Sequence, residues 1–129
     1  MAAFLSPLVR EPGRRWRLEK ADSGAVLAEP VEGAFDSDTR RRGLLGRDGL
    51  AESALVIAPC NLVHTFFMRF AIDTVFVDRE GLVVSVRHDI RPNRVSGAWG
   101  AFATIELAAG QARRVGLRPG DRLVLTPAA

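Results

Sequence analysis

Hydrophobic and polar positions alternate over short stretches along this chain, and turn residues break the alternation every few positions, a pattern of strands rather than long helices. Trp16-Arg-Leu-Glu-Lys-Ala21 alternates, Asp22-Ser-Gly24 supplies a turn, and Ala25-Val-Leu-Ala28 follows, which predicts a hairpin. Further strands are expected at Ala54–Ala58, stopped by Pro59, at Val63–Phe70, at Thr74–Asp78, at Leu82–Arg87, at Ala101–Leu107 and at Arg122–Thr126. Between Thr74–Asp78 and Leu82–Arg87, Gly81 supplies the positive φ that a bulged hairpin loop requires. Arg118-Pro-Gly-Asp121 places proline and glycine at the central positions of a type II turn.

Two short helices complete the pattern. Over Phe35–Gly46, Asp36 or Ser37 is placed to cap a helix, and arginines gather toward its end, where they suit the helix dipole. Gly46 is the expected left-handed stop, with Gly43 weakening the interior. Ala109–Val115 predicts two helical turns ending at Gly116. Seven or eight short strands with about two short helices predict a mainly β, single-domain β-sandwich or jelly-roll-like closed β architecture. Residues 14–129 form this domain in the prediction, and residues 1–13 are a tail or edge segment. A parallel α/β sheet needs more and longer helices and is rejected.

Composition narrows the class without naming an activity. The chain has 129 residues, 47% hydrophobic and 26% charged, which suffices for one globular core. No apolar run approaches the roughly 20 residues of a membrane span. The amino terminus has no basic residue before its apolar part and is interrupted by Pro7, so no export signal is expected. On that ground the chain reads as cytoplasmic, or as exported if a signal once preceded it. Net charge is only +3, and of the 18 basic residues Lys20 alone is a lysine. A small charge spread along the chain is a poor nucleic-acid footprint. Arg40, Arg41 and Arg42, with Arg113, Arg114 and Arg118, are better explained as solvated helix faces than as an anion or RNA patch. Cys60 is the single cysteine and excludes an intrachain disulfide.

The usual catalytic templates are missing: no glycine-rich phosphate loop with lysine, no G-x-S-x-G, no H-E-x-x-H and no Cys-x-x-Cys. Cys60 and His64 are too few to hold a zinc ion, and His88 is the only other histidine, so no metal and no cofactor are expected. The plainer account is a buried thiol and a histidine hydrogen-bonded near a strand start. Cys60 as a nucleophile with His64 or His88 would need a contact between them. The segment from His64 to Asp73 is more informative, because polar groups interrupt a very apolar run. As a strand it puts His64, Phe66, Met68 and Phe70 on one face and Thr65, Phe67 and Arg69 on the other. Both faces carry bulk, so burial on both sides is expected, and a buried Arg69 needs a carboxylate. Asp73 and Glu106 are the candidates, either in an ion pair tying two strands together or on the floor of a polar pocket.

Arg42-Gly-Leu-Leu-Gly-Arg47, the block from Cys60 to Asp78 with Gly81, Ile105-Glu-Leu-Ala-Ala-Gly110 and Gly116-Leu-Arg-Pro-Gly-Asp121 resemble the bacterial and archaeal family called domain of unknown function 192. The resemblance runs from about residue 35 to residue 125. It implies a jelly-roll-like β-sandwich or related closed β fold, and no established activity. Many members carry an export signal or membrane anchor, which this chain is expected to lack. Phe67 stands where tryptophan is frequent in the family and Leu45 where methionine is frequent. The family supplies no catalytic residues. Its motif positions here, Arg42, His64, Thr65, Met68, Arg69, Asp73 and Glu106, are the binding candidates.

Three functional classes follow in order. The first is a non-catalytic module that binds a small polar ligand or a protein partner near Arg69, Asp73 and Glu106. The second is an enzyme using His64 with Asp73 or Glu106 as acid and base on a small polar substrate. Nucleic-acid binding through the arginine clusters comes last. The sequence selects no oligomeric state.

Overall fold

The computed structural model describes residues 3–128. Ten strands form where alternation and turn chemistry agree: β1 (Trp16–Lys20), β2 (Val26–Ala28), β3 (Val31–Ala34), β4 (Ala54–Ile57), β5 (Leu62–His64), β6 (Ile72–Val77), β7 (Val83–Ile90), β8 (Val95–Gly97), β9 (Ala103–Ala108) and β10 (Leu123–Pro127). The helices are short: α1 (Ser6–Arg10), preceded by a 3-10 turn at Ala3–Leu5, α2 (Ser37–Arg42) and α3 (Gln111–Arg114). The β1–β2 and β6–β7 hairpins are those the sequence predicts. At the second, Gly81 sits at φ 84°, where a Cβ would meet the Leu123 carbonyl oxygen at 2.5 Å. The Asp78 carboxylate accepts the amides of Glu80 and Leu82 at 2.8 and 3.0 Å and closes that turn. The Arg118–Asp121 turn also forms, with the Asp121 amide donating to the Arg118 carbonyl and Gly120 at φ 95°.

Strand order explains the layers. A central five-stranded sheet runs β3-β4-β9-β6-β7, and only its β3–β4 pair is parallel. A three-stranded sheet, β10-β1-β2, covers one face, and a two-stranded ribbon, β5-β8, pairs with the strands of neither. The sheets are not closed into a barrel, so the mainly β, sandwich-like part of the expectation stands and closure does not. Val56, Val75, Val77, Ile105 and Leu107 share the larger core with Leu18, Leu27 and Leu123 of the covering sheet. Successive residues point to opposite faces of a strand. Accordingly Leu55, Ile57 and Ile72 belong to a second core, with Leu44, Leu50 and Met68 from the loops around α2 and β5. Each buried side chain of this size contributes about 1.5–3 kcal/mol. Both faces of β4 and β6 are therefore covered, which is why Ala54–Ile57 and Ile72–Val77 are buried at every position.

Three expectations change. The amino-terminal segment is no tail, because Phe4, Leu5 and Leu8 are buried in the larger core. The helix expected over Phe35–Gly46 ends at Arg42 rather than Gly46, since Gly43 takes φ 49° and caps it, while Asp36 caps its start by accepting the Thr39 amide at 2.8 Å. Finally, the predicted strand Val63–Phe70 stops at His64. The buried Thr65 hydroxyl donates to the Arg91 carbonyl at 2.6 Å and accepts the Arg94 amide at 2.9 Å, and the Met68 amide returns to the Thr65 carbonyl. Those bonds turn the chain, and Phe67 follows at φ 65° with its ring in solvent.

Candidate functional site

Glu106 is the fourth residue of β9 and pairs in register with Leu55 of β4 and Thr74 of β6. That register directs it to the second-core face, among apolar neighbours, where it is only 3% exposed. Among the described residues none donates a hydrogen bond to its carboxyl or forms an ion pair with it. Burial pushes its pKa up to about 7, and the more distant Arg47 guanidinium pulls weakly the other way. Arg47 is itself committed to Glu32 at 2.8 Å.

The carboxyl faces a cavity of about 290 Å³ between the sheet, the end of α2 and the start of β5. Leu44, Ile57 and Met68 form apolar walls, and Arg42, Cys60 and His64 supply polar ones. Gly43 lies beside the carboxyl: a Cβ built there would be in ordinary contact with Glu106 Oε1, at 3.9 Å. Of the three α2 arginines, Arg40 donates to the Phe35 carbonyl and Arg41 lies 3.8 Å from Asp38. Arg42 lines the cavity with no partner among the described residues. His64 is exposed, stacks on Phe66 with centroids 5.1 Å apart, and accepts the Phe66 amide at Nδ1. Cys60 Sγ lies 3.2 Å from the Leu62 carbonyl and is partly exposed.

Four of the seven predicted positions thus come together: Arg42, His64, Met68 and Glu106 line one cavity. Thr65, Arg69 and Asp73 do not. Thr65 holds the loop, as described. Arg69 is exposed and pairs with Asp48 at 2.9 Å, which corrects the expectation of a buried pair with Asp73 or Glu106. Asp73 is fully buried, but it pairs in register with Leu107 and so faces away from Glu106. Its carboxylate accepts amides of Asp89 at 2.9 Å and of Gly110 and Ala112 at 3.1 Å, binding β7 and the start of α3 to β6. Every lone-pair direction used there is structural. His64 lines the cavity and Asp73 does not, so the structure does not bring these two together there.

Sequence reasoning did not assign Leu44, Ile57 or Cys60 to a site. The signal for Glu106 was present, a lone acid in Ala103–Ala108, but the signal for its apolar surroundings is indistinguishable from core. Apolar residues also escape burial on the ribbon, where Leu62 and Val95 point outward beside the 96% exposed Trp99. Beyond the α2 arginines Leu44 packs in the second core, and beside the α3 arginines Ala112 packs in the first.

The model of the family described as uncharacterised ACR, domain of unknown function 192, matches residues 18–125. This chain belongs to that family. A crystal structure of a protein from Sinorhizobium meliloti, provisionally described as a transcription regulator, is similar at 25% identity with a TM-score of 0.73, covering 85% of this chain and 91% of that one. A protein of unknown function from Novosphingobium aromaticivorans is similar at 21% identity with a TM-score of 0.72, covering 84% and 82%. The second likeness concerns the fold. No curated protein matches the chain. The domain of unknown function 192 fold therefore brings no assigned chemistry with it, and the cavity must be read from its own residues.

Proposed function

We propose that this domain is a non-catalytic binding module whose site is the cavity floored by Glu106, and that its ligand is a small polar molecule donating hydrogen bonds to that carboxyl. The observation that carries the reading is a carboxyl 3% exposed, without an internal partner, lining an open cavity. A buried carboxyl without compensation costs several kcal/mol of desolvation in its charged form, by about the amount seen for isolated buried charges. Folds satisfy such groups unless something from outside does so. Binding is favoured over catalysis because Asp73 is bound to three backbone amides on the other face of the sheet, and His64 Nδ1 is engaged by the Phe66 amide.

Cys60 gives the test a site-specific readout, since it is the only thiol and lines the same cavity. Small amines, amino acids, diols and amides are screened for slowing the alkylation of Cys60 by iodoacetamide. The proposal expects at least one class to protect the thiol in the wild-type protein and to lose about tenfold or more in affinity in Glu106→Gln. Equal protection in the variant, or none from any class, contradicts it.

A further inference from the structure

The chemistry of the two ends of the cavity goes further and defines the ligand class, an inference that rests on the binding reading above. We infer that the ligand is amphoteric: a protonated amine reaches Glu106 on the floor, and an anionic group of the same small molecule meets Arg42 at the mouth.

Consider what each end lacks. Among the described residues none donates to Glu106, and the charge that acts on it, Arg47, is paired with Glu32. A protonated amine provides three N–H donors and the charge together. A hydroxyl or amide provides donors only, leaving a buried carboxylate uncompensated. The groups facing Glu106 can be named by element. The α2 side offers Arg40, Arg41 and Arg42, with Arg47 beyond; the Pro59–His64 segment offers Cys60 and His64. Its strand neighbours Leu55 and Thr74 carry no titrating group.

A simple cation would have to pass this arginine-rich side against like-charge repulsion. Arg40, Arg41 and Arg47 already have acceptors in Phe35, Asp38 and Glu32. Arg42 is exposed and has none among the described residues, and it precedes Gly43, where a Cβ would lie 3.9 Å from Glu106 Oε1. One solvent-exposed guanidinium without a protein acceptor and one buried carboxyl without a donor thus line the same cavity, yet they form no ion pair with each other. A molecule with charges of both signs satisfies both. About 290 Å³ is the small end of the range for ligand pockets, suiting a molecule the size of an amino acid, with Leu44, Ile57 and Met68 packing its hydrocarbon part.

Two matched sets test the inference on the full chain. One is L-leucine with 3-methylbutylamine and 4-methylpentanoate; the other is 5-aminopentanoate with pentylamine, pentanoate and the neutral pentane-1,5-diol. Affinity is read by calorimetry, and location by protection of Cys60. The expected result is that an amino acid protects Cys60 and binds about tenfold or more tightly than its matched amine and acid. Arg42→Ala should bring the amino acid down to the level of the amine, and Glu106→Gln down to the level of the acid. Binding near pH 7 should also release protons, seen as different enthalpies in phosphate and Tris, because the ammonium draws Glu106 into its charged form. Amine or acid binding as tightly as the amino acid overturns the inference. So does protection by the diol alone, which leaves the binding reading standing. No protection by any member of either set overturns the inference, and the binding reading falls with it when the amides of the wider screen also fail to protect.

Discussion

At the scale of single residues, the informative contrast is between two buried carboxyls one strand apart. Asp73 accepts three backbone amides and Glu106 none, and adjacent register positions on β6 and β9 send them to opposite faces. Above about pH 7 their substitutions should therefore move stability in opposite directions. Asp73→Ala leaves three amides without their acceptor and should cost about 3 kcal/mol or more, measured by urea unfolding. Arg69→Ala removes only an exposed pair with Asp48 and should stay within about 0.5 kcal/mol. If instead Arg69→Ala proves as costly as Asp73→Ala, the assignment of the two residues is wrong. Sequence alone could nominate all three charged groups, because each interrupts an apolar run. It could not separate them, since alternation gives a face only when the strand itself is correctly bounded.

At the scale of elements, legibility followed local chemistry. The β6–β7 hairpin was readable because Gly81 answers a demand of its own turn, and the Asp36 cap because capping is likewise local. Gly81→Ala combines a disfavoured φ with a clash against backbone at Leu123, and should destabilise by about 2 kcal/mol or more with a lower thermal midpoint. A loss below about 0.5 kcal/mol would show that the turn relaxes freely. The segment after His64 was misread for the complementary reason. Its aromatics favour a strand, and the bonds that turn it come from Arg91 and Arg94, far along the chain. The amino-terminal helix was missed in the same way: five residues of α1 carry little intrinsic signal, and Leu8 is held by the core it enters. The short β8 and β3 strands likewise depend on distant partners.

For the whole molecule, the account is that a three-layer β fold leaves its outer layer incomplete at one place, and a carboxyl sits at that gap. The central sheet is sealed on one face by β10-β1-β2, whereas the ribbon, α2 and the Met68 loop cover the other around a cavity. This arrangement makes a pH signature. Glu106 has an ordinary value of 4.5 and one of about 7 in the folded chain, so the folded state holds its proton more tightly. Its contribution to stability is present in full below about 4.5, falls as pH rises toward 7, and is lost above it. The difference amounts to about 3 kcal/mol at the alkaline end. The most direct measurement is the unfolding free energy of wild type and Glu106→Gln, by urea titration from pH 4 to pH 8.5. Glutamine has the same shape and never ionises, so the two proteins should be similar at the acid end. The variant should then become the more stable by about 3 kcal/mol as pH passes 7. A variant less stable than wild type at pH 8.5 would mean that the carboxylate has internal partners, and would contradict the claim that this cavity awaits a ligand.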